Sequence, residues 1–250
     1  MNGAFRVVYD DIGKGYAQRR RPDARIARAI ERALRSSRPL LNVGAGAGSY
    51  EPSPPGVVAI DVSATMLAQR FAGAAPAVRG NAMRLPFADG QFETALAVLT
   101  LHHWTDPRRG LEELARVSRR QVLFTFDPSH QHDEFWLVRD YLPDIFRIDA
   151  DIHPPFDTLR ELLGPLDVQV VPVPEDCTDG FLCAYWKRPE SYLDPEVRRS
   201  ISTFAVLPDP TQALEALRRD LEDGSFWQRN AALLDRESMD YGYRLVIAGG

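Results

Sequence analysis

Cysteine is almost absent from this chain of 250 residues: Cys177 and Cys183 are the only two. Two thiols build no disulfide framework, and their spacing gives no C-x-x-C pair for zinc. Such scarcity fits a reducing compartment, and the expected location is the cytoplasm. Lysine is as rare, at Lys14 and Lys187 alone, so nearly all basic charge is arginine. An excess of positive charge is missing too, since the formal net charge is −5. A nucleic-acid binder normally carries a basic face, so nucleic acid is not an expected partner. No apolar run approaches the roughly 20 residues that cross a bilayer, and no membrane partner is expected. Met1 to Asp10 also lacks the apolar core of a signal peptide. His130, His132 and Asp133 stand together, but a His-x-His pair is too short to fix a coordination geometry, and no metal is expected.

What is there is a pattern of alternating elements. Ile26, Ala29, Ile30, Ala33 and Leu34 recur at helical spacing and predict a helix over Pro22–Ser37, with Pro22 suited to a first helical position. Pro39–Val43 reads as a buried strand running into glycines, and Val57–Asp61 as a second. Ser63 can cap a helix from Ala64 to Phe71. Val78–Gly80 is a weaker strand and Phe92–Val98 a fourth. Asp106-Pro107 opens a helix to Val117, with Leu111, Leu114 and Ala115 on one face, and Gln121–Phe126 is a fifth strand. Strands and helices that alternate in this way predict a parallel sheet with right-handed crossovers. After Asp127 the pattern changes. Helices are predicted over Phe135–Ile145, Thr158–Leu163, Pro195–Phe204 and Thr211–Leu221, and strands over Val168–Val173, Phe181–Trp186 and Tyr243–Ala248. The expected fold is α/β: a Rossmann-like, doubly wound, seven-stranded, mostly parallel sheet, with helical cap and insertions in the C-terminal half. A single domain is expected, with an N-terminal lid and helix over 1–38, a cofactor-binding core over 39–128, and a substrate cap with the last strands over 129–250.

Ligands in such sheets bind beyond the carboxyl ends of the strands. The loop Gly44-Ala45-Gly46-Ala47-Gly48, Asp61, Asn81, His102-His103 and Asp127 all fall there. Glycine lacks Cβ, so a ligand can approach that loop's backbone closely. A P-loop would end in Gly-Lys-Ser/Thr, whereas Gly48 is followed by Ser49-Tyr50. A dinucleotide fingerprint would place glycine or alanine where Ser49 stands, so an NAD(P)-dependent oxidoreductase is weakened as a reading but stays open, as does a plain tight turn. Asp61 ends the next strand at the position where a carboxylate can accept both hydroxyls of a ribose.

Three stretches carry a family resemblance. They are Leu41–Gly48, then Ile60-Asp61-Val62-Ser63-Ala64-Thr65-Met66, then Gly80-Asn81-Ala82-Met83-Arg84-Leu85-Pro86-Phe87. With Ala97–Trp104 as a fourth, they resemble the class I methyltransferases that use S-adenosyl-L-methionine (SAM). Within that class they are most similar to the small-molecule group called type 11, with its ubiquinone/menaquinone and trans-aconitate types. The resemblance covers Tyr9 to Pro128 and implies SAM as cofactor, S-adenosyl-L-homocysteine (SAH) as product, and a small-molecule methyl acceptor. By position it implies that Gly44, Ala45, Gly46 and Gly48 pass under the methionine part of SAM. Asp61 would hold the ribose, with Val62 beside it and Met66 over one adenine face. Asn81 would bond the adenine amino group and the Ala82 backbone would reach the ring, while Leu99 and Thr100 would line the wall beside the sulfonium. Asn42 and Asn81 stand where the family usually or often has an acidic residue. Asparagine keeps an acceptor oxygen but loses the charge, which predicts weaker SAM binding and keeps a catalytically weak SAM- or SAH-binding protein as an alternative.

Transfer from a sulfonium is an in-line displacement that needs positioning and exclusion of water, and a base only where the acceptor carries a proton. His102 is the first candidate for that base and Asp127 the second, each with a local packing or turn role as its rival. His103 is assigned to the substrate wall. Tyr16, Arg20 and Arg21 resemble a lid segment that closes over the cofactor or a substrate carboxylate. The aromatics of the second half, among them Phe181 and Tyr185, are read mostly as core, with some left to line a planar acceptor pocket.

Overall fold

The computed structural model describes residues 20–130 and 134–249. Helix α1 spans Ala24–Leu34 and buries Ile26, Ile30, Ala33 and Leu34. It starts later than predicted, because Asp23, not Pro22, sets the start: the Asp23 carboxylate accepts the Arg25 N–H. The chain then enters β1 (Leu40–Val43), which is buried along its whole length. β2 (Val57–Asp61) follows, and Ser63 accepts the Met66 N–H to cap α2. That helix stops at Leu67, short of the predicted Phe71. β3 (Ala77–Arg79), β4 (Phe92–Val98), α3 (Pro107–Val117) and β5 (Ser118–Phe126) complete the first half. Asp106 caps α3, whose buried face is Gly110, Leu111, Leu114 and Val117, while Ala115 faces solvent.

With β6 (Leu166–Val170) and β9 (Tyr243–Ala248), the sheet formed by the described residues has seven strands in the order β3-β2-β1-β4-β5-β9-β6. β1 to β5 run parallel, whereas β9 is antiparallel to both β5 and β6. The chain winds one way from β1 to β3 and the other way from β4, so the strand order reverses between β1 and β4. That reversal opens a crevice at their carboxyl ends.

The second half departs further from its sequence pattern. Instead of one helix over Phe135–Ile145, a π-helical turn spans Leu137–Tyr141, and α4 begins after Pro143 and runs Asp144–Ile152. α5 spans Phe156–Leu163. The predicted strand Val168–Val173 divides between β6 and β7 (Val173–Pro174), which pairs with β8 (Ser238–Met239) in a separate ribbon. Phe181–Trp186 is not a strand: Leu182–Tyr185 is a 3-10 turn with Leu182, Cys183 and Ala184 buried. A short apolar run does not distinguish a buried strand from a buried turn. Pro195–Phe204 divides into α6 (Pro195–Arg199) and a 3-10 turn, and α7 spans Thr211–Glu222. No helix among the described residues is long and apolar enough to cross a membrane.

Candidate active site

A cleft of about 290 Å³ opens at the reversal between β1 and β4. Its floor is the glycine loop. The Gly44 and Ala45 N–H groups both donate to the Ile60 carbonyl, at 2.9 and 3.1 Å, which draws the loop over the end of β2. Gly44 has φ +69°, and a Cβ there would lie 2.0 Å from Thr100 Oγ1. The loop and the end of β4 therefore touch backbone against side chain, which only glycine permits. Gly46 and Ala45 also line the cleft, whereas Gly48 does not; it shapes the turn, with the Arg70 guanidinium 3.3 Å from where its Cβ would be.

Asp61 ties the floor to the wall. Its Oδ2 accepts the Gly46 N–H and its Oδ1 the Ser63 N–H, both at 2.8 Å. Burial pushes this carboxyl up from its ordinary value, and the Ser63 and Gly46 N–H groups pull against that. Each carboxylate oxygen retains a second lone pair for a donor in the cleft. Val62, Met66 and Ala82 complete this end. Asn81 also lines it, but its Oδ1 accepts the Met83 N–H at 2.9 Å. The oxygen assigned to the adenine amino group thus already serves a local turn, and the amide NH2 is the group with free hydrogens. At the other end Asn42 is buried and donates to Glu51 Oε2 at 2.9 Å. That bond fixes the amide and leaves its carbonyl oxygen as acceptor. Glu51, which the sequence reading missed, is itself paired with Arg70 and accepts the Ala75 N–H. The charge missing at Asn42 therefore stands one residue behind it, already neutralised.

A second, smaller cavity of about 50 Å³ shares Arg20, Leu99 and His103 with the cleft. Its other walls include His102, Phe126, Asp149, His153, Phe181 and Tyr243. The three imidazoles are in contact, His102 lying 3.7 Å from His103 and 4.8 Å from His153 between ring centroids. Burial above all, then neighbouring rings and Arg20, pushes His102 well below its ordinary value and His103 down to about 3. His103, not His102, stands on the shared wall.

Arg20 reaches that wall because Asp179 holds it, with Nε to Oδ1 at 2.5 Å. Asp179 is buried and also accepts from Tyr50 OH at 2.9 Å, while the Asp23 N–H donates to Tyr50 OH at 3.1 Å. Neither Asp179 nor Tyr50 figured in the sequence reading, because a contact across 129 residues leaves no local spacing to read. Arg21 lines neither cavity, and Tyr16 lies outside the described residues. Asp127 lines neither cavity: its Oδ1 accepts the Ser129 N–H and Oγ, so it forms the turn after β5. His130 contacts Asp240 and Arg244, and His132 and Asp133 lie outside the described residues. Among the described residues no group of three or more His, Cys, Asp or Glu side chains is placed to hold a metal.

A cleft at the reversal of a doubly wound sheet, floored by glycines and flanked by a carboxylate, matches the Rossmann-like fold of the SAM-dependent methyltransferases. Residues 41–126 match the methyltransferase domain family model. A solved structure from Anabaena variabilis, described as a candidate methyltransferase of an antibiotic biosynthesis pathway, is 29% identical and superposes with a TM-score of 0.83 over 94% of this chain and 100% of that one. A demethylmenaquinone methyltransferase of Mycolicibacterium vanbaalenii is 43% identical over 75 residues, 30% of each chain. One from Paenarthrobacter aurescens is 31% identical over 149 residues, 55% of this chain and 56% of that one. The chain thus spans only about a third to a half of these two curated relatives.

Proposed function

We propose that this protein transfers the methyl group of SAM to a small-molecule acceptor by in-line displacement, with the acceptor seated in the histidine- and aromatic-lined cavity. The observation that carries this reading is the wall of Arg20, Leu99 and His103 common to both cavities. A cofactor in the cleft and an acceptor in the cavity would meet only across that wall. SAM supplies an electrophilic methyl on a sulfonium. The chain supplies position: Asp61 accepts from the ribose hydroxyls, the Asn42 carbonyl accepts from the ammonium, and Met66 and Ala82 cover the adenine. Leu99 and Thr100 close the side where transfer occurs and keep water out.

The cavity's buried walls favour a small molecule over a nucleic acid, and the net charge of −5 agrees. At about 50 Å³ it must widen to admit an aromatic ring, since a cavity of about 150 Å³ is what holds benzene. We place the protein in the cytoplasm on the ground that both cysteines are free and buried. Calorimetric titration tests the central claim. SAM and SAH should bind and NAD should not. Asp61→Ala should weaken SAH about tenfold or more, as expected when a charged hydrogen-bond acceptor is removed. NAD binding, or an unchanged SAH affinity in Asp61→Ala, would sink it.

A further inference from the structure

Asp149 occupies the buried face of α4, one turn after Ile145, with 4% of its surface exposed. Among the described residues its carboxyl has no hydrogen-bond or ion-pair partner; its backbone carbonyl is engaged by the His153 N–H and by the His153 ring, each at 3.1 Å. A buried polar group without a partner burdens a fold and calls for an explanation. This one lines the cavity beside the cofactor cleft. The titratable groups around it come from every element packed there: His153 from the end of α4, His102 and His103 from the turn after β4, Cys183 from the 3-10 turn, Tyr243 from β9, and Arg20 from ahead of α1. Burial keeps the Cys183 thiol and the Tyr243 hydroxyl protonated, His102 and His103 are held neutral, and Arg20 is held by Asp179. Burial alone lifts Asp149 to about 8. The rest of the wall is mostly apolar, with Phe126, Ile152, Phe181, Leu182 and Ile201, and Ser202 and Thr203 are its remaining polar members.

Resting on the acceptor site proposed above, we propose that Asp149 is the base of the reaction and that the acceptor is an uncharged hydroxyl compound with a flat apolar body, methylated on oxygen. A flat body matches the aromatic wall, and an uncharged one leaves the ionised Asp149 carboxylate to balance the sulfonium. In the transfer a lone pair of the hydroxyl oxygen forms the bond to the methyl carbon. The pair of the breaking carbon–sulfur bond stays on sulfur, giving the neutral thioether of SAH. The O–H pair stays on oxygen, and the proton passes to the Asp149 carboxylate. One positive sulfonium and one negative carboxylate thus become two neutral groups, a change that a desolvated site favours. His103 shares the wall but is too weak a base for the task, whereas a base serves best when its pKa lies near the working pH.

The test is methyl transfer from radiolabelled SAM to phenol, catechol and 1-naphthol, by the wild type, Asp149→Asn and Asp149→Leu, between about pH 6 and 9, with SAH affinity and melting temperature measured in parallel. At least one probe should be methylated, at a rate rising about tenfold per pH unit toward a plateau near pH 8. Asp149→Asn should lose about a hundredfold or more of that rate while binding SAH as before. Asp149→Leu should melt at a higher temperature, which a structural role for the carboxyl would not allow. If SAH binds but no probe is methylated, if Asp149→Asn keeps the rate or its pH dependence, or if both variants fail to fold, the proposal is overturned. Failure of the wild type to bind SAH would instead overturn the cofactor reading.

Discussion

Leu99 sits at φ +46°, in the left-handed region that side chains other than glycine seldom enter. The strain costs about 1–2 kcal/mol, and a 2.7 Å bond from the Leu99 N–H to the Phe124 carbonyl helps to hold it. It turns the chain at the end of β4 so that Leu99 faces both cavities while Thr100 packs on Gly44. Leu99→Gly should therefore be more stable to urea than Leu99→Ala by roughly 1 kcal/mol, since only alanine retains the strain. Both should lower methyl transfer, because the shared wall is opened. Gly44→Ala should weaken SAH at least about tenfold, since its new methyl would overlap Thr100 and the loop would have to rise into the cleft. The place of the cleft-floor residues was legible because each belongs to a short motif at a strand end, where spacing alone fixes location. Asp149, Asp179 and Glu51 were not, since what makes each of them matter is a neighbour far away in the chain or its burial by the cap.

Among the elements, α3 shows how a local preference is overruled. Gly110 lies inside this helix, where alanine would ordinarily be better by about 1 kcal/mol. Here a Cβ would fall 2.2 Å from the Trp104 ring, and Trp104 lines the cofactor cleft. Gly110→Ala should therefore destabilise the protein by roughly 1–3 kcal/mol in denaturant unfolding and weaken SAH as well. A gain in stability would show that the ring moves freely. The start of helix α3 was legible because Asp106-Pro107 is an unambiguous signal, whereas β5 begins at Ser118, ahead of the predicted Gln121, because its first residues are polar. The turn Leu182–Tyr185 was not legible, because its burial comes from packing against the far half of the chain and leaves no periodicity. α1 depends on its cap in the same long-range way. Asp23 accepts from Arg25 and also from the Thr178 N–H, which fastens the helix to the loop that carries Asp179. Burial works to raise this carboxyl, but its bonds from Arg25 and Thr178 prevail and hold it at about 2. Asp23→Ala should cost roughly 2 kcal/mol near neutral pH. Because the folded value is depressed, that stabilisation is present above about 4 and lost as pH falls through about 2, so the difference from the wild type should vanish in that window.

At the scale of the molecule two buried sets act on stability in opposite directions. His102 and His103 are neutral when folded but take up protons below 6.5 when unfolded, so stability falls as pH drops below that value. Asp149 stays protonated when folded up to about 8, whereas its unfolded form ionises near 3.8, so stability also falls as pH rises across that interval. The melting temperature should therefore peak near pH 6 to 7, and Asp149→Asn should flatten the alkaline side and steepen the acid side. A monotonic pH profile, or one unchanged in the variant, would contradict the burial of these groups.

The position of β9 has a bearing on how the chain is made. Among the described residues it comes after every other strand in sequence, yet it lies inside the sheet between β5 and β6. As the polypeptide leaves the ribosome, the cofactor half and β6 emerge first, with the unpaired backbone of β5 waiting for its neighbour. Until Tyr243–Ala248 arrives, that open edge is a template on which two nascent chains can join. A chain cut before Tyr243 should accordingly aggregate on synthesis and bind no SAH, and holding back that edge is work suited to a chaperone.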